Sequence, residues 1–215
     1  VMLLYVNGDS HSLGAIKGGG NVKSFVEYVA DNFDLQIHND SEGASSATRI
    51  IRTTKEYFTN NSTDNSFVLV GWGTWEREEW LYENIHYNVM VGWYKHLPEK
   101  LQERYNQWDK QQDYSLLVKK SRLVHQEIHD FHNWLMQQSI PHLFFNCMYD
   151  FQGVKTQDQV EWNNCYIGPY NNEQSYFWYL KNRKYEYDRW YHFPTEAHTE
   201  WGTVLIDHIK ENKLI

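Results

Sequence analysis

The chain has 215 residues, 41% of them hydrophobic, with 28 acidic against 20 basic residues and a formal net charge of −8. This size and composition fit one globular domain with its own core, and exclude a disordered tail, a coiled coil and a disulfide-stapled miniprotein. No basic run stands out, which argues against a phosphate-tracking groove, and no apolar run nears the roughly 20 residues that span a bilayer.

Residues 2–7 (MLLYVN) form a short apolar run closed by Asn7-Gly8, the pattern of a buried strand. Because VMLLYVNGDS lacks a basic leader and reads as strand, no secretory signal is expected. From Val22 to Asn32 the apolar spacing is helical, with Asn21 as the expected N-cap. Residues 34–38 predict a second strand, 47–58 a helix and 66–71 (SFVLVG) a third strand. Residues 78–94 are expected to be helical in part, and 97–113 polar and irregular. The clearest helix is 116–138, with Leu117, Val124, Ile128, Phe131 and Leu135 on one stripe. Pro141 stops it, and 142–147 (HLFFNC) predicts a fourth strand. Residues 149–191 are aromatic and loop-rich, with Gly168-Pro169 as a turn signal. Thr195 is the expected cap of a last helix that runs to about 210. Alternating strands and helices predict an α/β fold on a mainly parallel sheet, one domain over 1–215 with elaborations at about 75–115 and 149–191. Cys147 and Cys165 are too few for a disulfide framework and are expected to be reduced, structural thiols.

In a parallel open sheet, ligands bind beyond the carboxyl ends of the strands. The segments that follow the predicted strands therefore belong together. They are Gly8-Asp9-Ser10-His11, the stretch Asn39 to Ser45, Gly71-Trp72-Gly73-Thr74, and Asn146. The loop before the last helix adds His192 and His198. A serine, glycine-flanked N–H groups, an Asn and two histidines make up the inventory of acyl transfer: nucleophile, oxyanion donors and base.

On these residues the chain resembles the SGNH, or GDSL, hydrolase family. Gly8-Asp9-Ser10 directly after the first strand is similar to its first block. Gly43 in SEGASSATRIIRTT is similar to its second, and His192-Phe-Pro-Thr-Glu-Ala-His198 to its closing one. The GAS…RIIRTT and GW…ER…EW pieces look most like versions from tailed-phage genomes. The resemblance implies a flavodoxin-like three-layer sandwich, with Ser10 as nucleophile and His192 as base. It implies an oxyanion site at Ser10 and Gly43, with Gly73, Thr74 and Asn146 as further candidate donors. It departs from the pattern twice. The acid expected three residues before the base is Arg189, which leaves Asp188 as the substitute. The Asn expected two residues after the strand-end glycine is Gly73.

His198 is the rival base, near the start of the last helix, but the loop position favours His192. His11, Arg49, Arg77 and His198 are candidate substrate-binding residues. For Arg49, Arg52 and Arg77, ion pairs with Glu76 or Glu79 are the commoner use. His125, His129 and His132 share a helix face, but HQEIH lacks the HExxH spacing, so no metal is expected, and no cofactor. Gly18-Gly19-Gly20 lacks a phosphate-loop pattern and reads as a flexible loop. The implied function is a serine esterase acting on an ester or an acylated glycan, with no nucleic-acid or membrane partner. The alternative is a structural or binding protein with a weakened site, assembled as a homo-oligomer or in a phage particle. The phage likeness implies the infected host's cytoplasm or the virion.

Overall fold

A computed structural model describes residues 1–20 and 23–215. Five parallel strands, β1 (Met2–Asn7), β2 (Leu35–Asn39), β3 (Ser66–Trp72), β6 (His142–Asn146) and β7 (Tyr166–Ile167), lie in the order β2-β1-β3-β6-β7. The central strands β3 and β6 are buried along their whole length, as strands covered on both faces must be. Helices α1 (Phe25–Phe33) and α6 (Thr195–Asn212) cover one face. There Phe25, Val29, Trp201 and Leu205 pack with Leu4, Leu69 and Phe145. Helices α2 (Ala47–Asn60) and α4 (Tyr114–Gln137) cover the other, where Ile50, Ile128, Phe131 and Leu135 meet Tyr5, Val70 and Phe144. The α/β sandwich read from the sequence is the observed one. No helix among the described residues is long and apolar enough to cross a membrane.

Helix α1 starts later than its apolar spacing predicts. Asn21 and Val22 lie outside the described residues, and Ser24 caps the helix through a capping box with Glu27. Such a cap is typically worth about 1 kcal/mol. Helix α6 is preceded by Pro194 with no side-chain cap, so Thr195 is its first residue and not its cap.

Two segments differ in kind from their prediction. Residues 78–94 hold an antiparallel hairpin, β4 (Glu78–Tyr82) and β5 (Ile85–Val89), turned at Glu83 and Asn84, both at positive φ (49° and 62°). Residues 97–113, expected to be irregular, contain helix α3 (Glu99–Asp109). Leu101, Tyr105 and Trp108 stand at i, i+4 and i+7 on it and pack against Trp80 and Val89 of the hairpin. This small second core overrides the weak helix propensity of a polar segment. A short helix, α5 (Tyr176–Asn182), completes the aromatic region before α6.

Candidate active site

The carboxyl ends of β1, β2 and β3 meet at a cleft of about 820 Å3. Gly8 lets the turn after β1 approach the end of β3, since a Cβ there would lie 2.9 Å from the Gly71 carbonyl oxygen. The turn is closed by the Ser12 N–H on the Asp9 carbonyl and the Ala15 N–H on the Ser10 carbonyl. It presents Ser10, half-buried, at the cleft floor.

The loop after β2 is drawn to the same point, because the Glu42 N–H donates to the Gly8 carbonyl. The Glu42 carbonyl accepts from the Ser45 N–H and hydroxyl. That locks the 42–43 peptide and turns the Gly43 N–H away from Ser45, in a residue that lines the cleft beside Ser10. Arg49 does not line the cleft. It braces this loop by donating to the Asp40 carbonyl and pairing with Glu42, so a structural role replaces the substrate-binding one.

Ser10 Oγ lies 2.9 Å from His192 Nε2. His192 comes from a five-residue loop closed on itself. Asp188 Oδ1 accepts the backbone N–H groups of Trp190 and His192, the Asp188 N–H donates to the His192 carbonyl, and Tyr191 turns at φ 67°. Asp188 thus stands four positions before His192, across a turn closed by its own carboxylate. Arg189 lies over the Trp190 ring. Asp188 Oδ2 is 3.5 Å from His192 Nδ1, longer than a hydrogen bond. A proton on Nδ1 facing this carboxylate leaves Nε2 free to accept from Ser10. Burial lowers the His192 pKa below the usual histidine value, the neighbouring His11 ring adds to this, and the carboxylates of Asp188 and Asp9 oppose it. This shift favours the neutral imidazole at neutral pH.

Behind Ser10 lies a charged cluster that the sequence did not reveal. Asp9, fully buried, accepts from the His11 ring (2.8 Å), the His11 N–H (3.0 Å) and Arg77 Nη1 (2.8 Å). Burial works against its ionisation, but His11 and Arg77 outweigh it and hold the carboxyl well below the usual carboxylate range. Cys147 sits beneath at 3.8 Å, its thiol pushed up by burial. His11 lines the cleft, yet its ring nitrogens face Asp9 and the Tyr191 carbonyl, so it ties the Ser10 turn to the His192 loop.

Three other candidates are corrected. His198 is buried against Phe25, with its Nε2 on the Ala15 carbonyl, and does not reach the cleft. Asn146 faces the α4 side of the sheet, where its Oδ1 accepts from Tyr166, and it does not line the cleft. The Thr74 hydroxyl lines the cleft, but its proton goes to Glu76 while it accepts from Arg77, which leaves it nothing to donate. Gly73 itself is covered by the Arg77 guanidinium.

The helix-face histidines do not converge. His125 meets Tyr170, whereas His132 joins a chain that runs to His142 and the Ile140 carbonyl. Arg52 pairs with Glu79 and Glu56.

No protein-family model matches the sequence, and no curated protein does. Among solved structures, the fold is similar to a psychrotrophic esterase from Pseudoalteromonas sp., at TM-score 0.50 and 10% identity over 98% of both chains. An acetylxylan esterase from Geobacillus stearothermophilus aligns at TM-score 0.46 and 11% identity, over 97% of this chain and 94% of that one. An acetyl xylan esterase from Butyrivibrio proteoclasticus aligns at 0.47 and 12%, over 98% of this chain and 63% of that one. The likeness to the Pseudoalteromonas esterase establishes the fold: this chain is an α/β sandwich on a mainly parallel sheet, as that esterase is.

Proposed function

We propose that the protein is a serine esterase with Ser10 as nucleophile, His192 as base and Asp188 as the acid that orients the base loop. The observation that carries this reading is the 2.9 Å approach of Ser10 Oγ to His192 Nε2 at the floor of an open cleft. His192 takes the hydroxyl proton as Oγ bonds to the ester carbon, and the carbonyl π pair moves onto oxygen. Collapse of the tetrahedral adduct breaks the bond to the leaving alkoxide, which receives the proton from His192. Water, deprotonated by the same imidazole, then attacks the acyl-serine, and the proton returns to Ser10 as the acid leaves. In this reading the backbone N–H groups of Ser10 and Gly43, two residues that line the cleft, hold the developing oxyanion.

Trp93, Tyr114, Tyr149, Trp190 and Tyr191 line the cleft, and Tyr114 is 72% exposed. Flat aromatic faces beside a nucleophile suit an acyl group carried on a sugar. The opposing reading, a binding protein or phage-particle component with a weakened site, draws on the 3.5 Å gap between Asp188 and His192. Its phage element rests on the sequence motifs alone.

The pH dependence of aryl acetate hydrolysis separates the two. The base must be neutral, and its pKa lies below the usual histidine value of about 6.5. Turnover is therefore expected to be flat above pH 7 and to fall only on the acid side of 6.5. Asp188→Asn removes the charge that holds the His192 pKa up. It is expected to move the acid limb to still lower pH and to cut kcat about 10- to 100-fold, less than the roughly 10^4-fold loss seen where the acid is tightly bonded to the base. An absence of turnover at every pH supports the weakened-site reading.

A further inference from the structure

We propose that Arg77 is a catalytic residue, its free Nη2 donating to the oxyanion that forms on the ester bound at Ser10. The inference deepens the serine-esterase reading and rests on it. A Cβ built on Gly73 would lie 2.5 Å from Arg77 Nη1 and 2.9 Å from Cζ, so the guanidinium occupies the space where a side chain from position 73 would begin. The turn from Thr74 to Arg77, closed by the Arg77 N–H on the Thr74 carbonyl, sends the side chain back over the end of β3.

Three of its five N–H groups are spoken for. Nη1 donates to Asp9 Oδ2 at 2.8 Å and to the Ser45 carbonyl at 3.4 Å, and Nε donates to Thr74 Oγ1 at 3.0 Å. Nη2 has no acceptor among the described residues, in a side chain only 7% exposed that lines the same cleft as Ser10 and Gly43. Nη2 keeps contact with solvent, so an incoming acceptor can reach it. An oxyanion exists only during the reaction, so such a donor strengthens as charge develops. A charge-assisted bond is also stronger than the one a neutral amide would give. Of the other side chains considered for the role, the Thr74 hydroxyl proton goes to Glu76, and Asn146 lies outside the cleft. Asp9 fixes the guanidinium in place, so the residue before the nucleophile and the third donor form one unit.

The test is steady-state hydrolysis of an uncharged aryl acetate by Arg77→Lys. A single ammonium can pair with Asp9 but cannot also reach the Nη2 position, so kcat is expected to fall 100- to 1000-fold with KM within threefold. Should Arg77→Lys lack a cooperative thermal transition, Arg77→Gln, whose amide still donates to Asp9, is read in the same way. A kcat within threefold of the wild type, or a loss confined to KM, overturns the proposal while Ser10-dependent turnover stands. Wild-type turnover indifferent to Ser10→Ala overturns the esterase reading and this proposal with it.

Discussion

Ser10→Ala is expected to abolish ester turnover, by roughly 10^4- to 10^6-fold, while the thermal midpoint stays where it was. The side chain makes one hydrogen bond, to His192, and sits half-buried at the cleft floor, so its loss leaves no cavity and strands no buried partner. Its turn is held by backbone bonds from Ser12 and Ala15, which an alanine keeps. The change therefore separates chemistry from folding. Circular dichroism and a melting curve check the fold, and acetate release checks the activity. A variant that keeps even a tenth of the wild-type rate would mean that another group is the nucleophile.

Asp9→Asn is expected to show the opposite balance, with a large stability cost of about 3 kcal/mol alongside any loss of rate. It leaves the Arg77 guanidinium, 7% exposed, without its carboxylate partner. Breaking a buried pair from one side typically costs about 3–5 kcal/mol, and the open Nη2 side favours the lower end. The pH dependence carries its own signature. Because the Asp9 carboxyl is held below the usual carboxylate range in the folded protein, its contribution is complete above the unfolded value near 4. It is lost as pH falls from there toward the depressed folded value. Wild-type stability in urea should drop below pH 4 more steeply than that of Asp9→Asn, which lacks this limb. Parallel slopes would mean that the ion pair does not hold the turn.

The sheet was legible because β1, β3 and β6 are short apolar runs bounded by turn residues, and burial on both faces demands such runs. The hairpin was not, because its turn uses Glu83-Asn84 at positive φ, where Asn-Gly is the usual signal. Helix α3 was missed because its three apolar contacts are stabilised only once Trp80 arrives from a different element. At the site, Ser10 and His192 could be paired from their places after a first strand and before a last helix. The Asp9–Arg77 pair spans 68 residues, and no local pattern in the chain announces it. Asn146 was misjudged by one face. Strand alternation puts it with Phe144, on the α4 side and away from the cleft.

The most direct test of the central claim is fluorophosphonate labelling of the folded protein, with peptide mass spectrometry to locate the adduct. The reagent needs a serine whose proton is taken up by a neighbouring base and whose adduct oxygen is held by donors, the arrangement assigned to Ser10, His192, Gly43 and Arg77. A stoichiometric adduct on Ser10, formed more slowly as pH drops below 6.5, is the expected result. No adduct, or one on another residue of a folded sample, would contradict it.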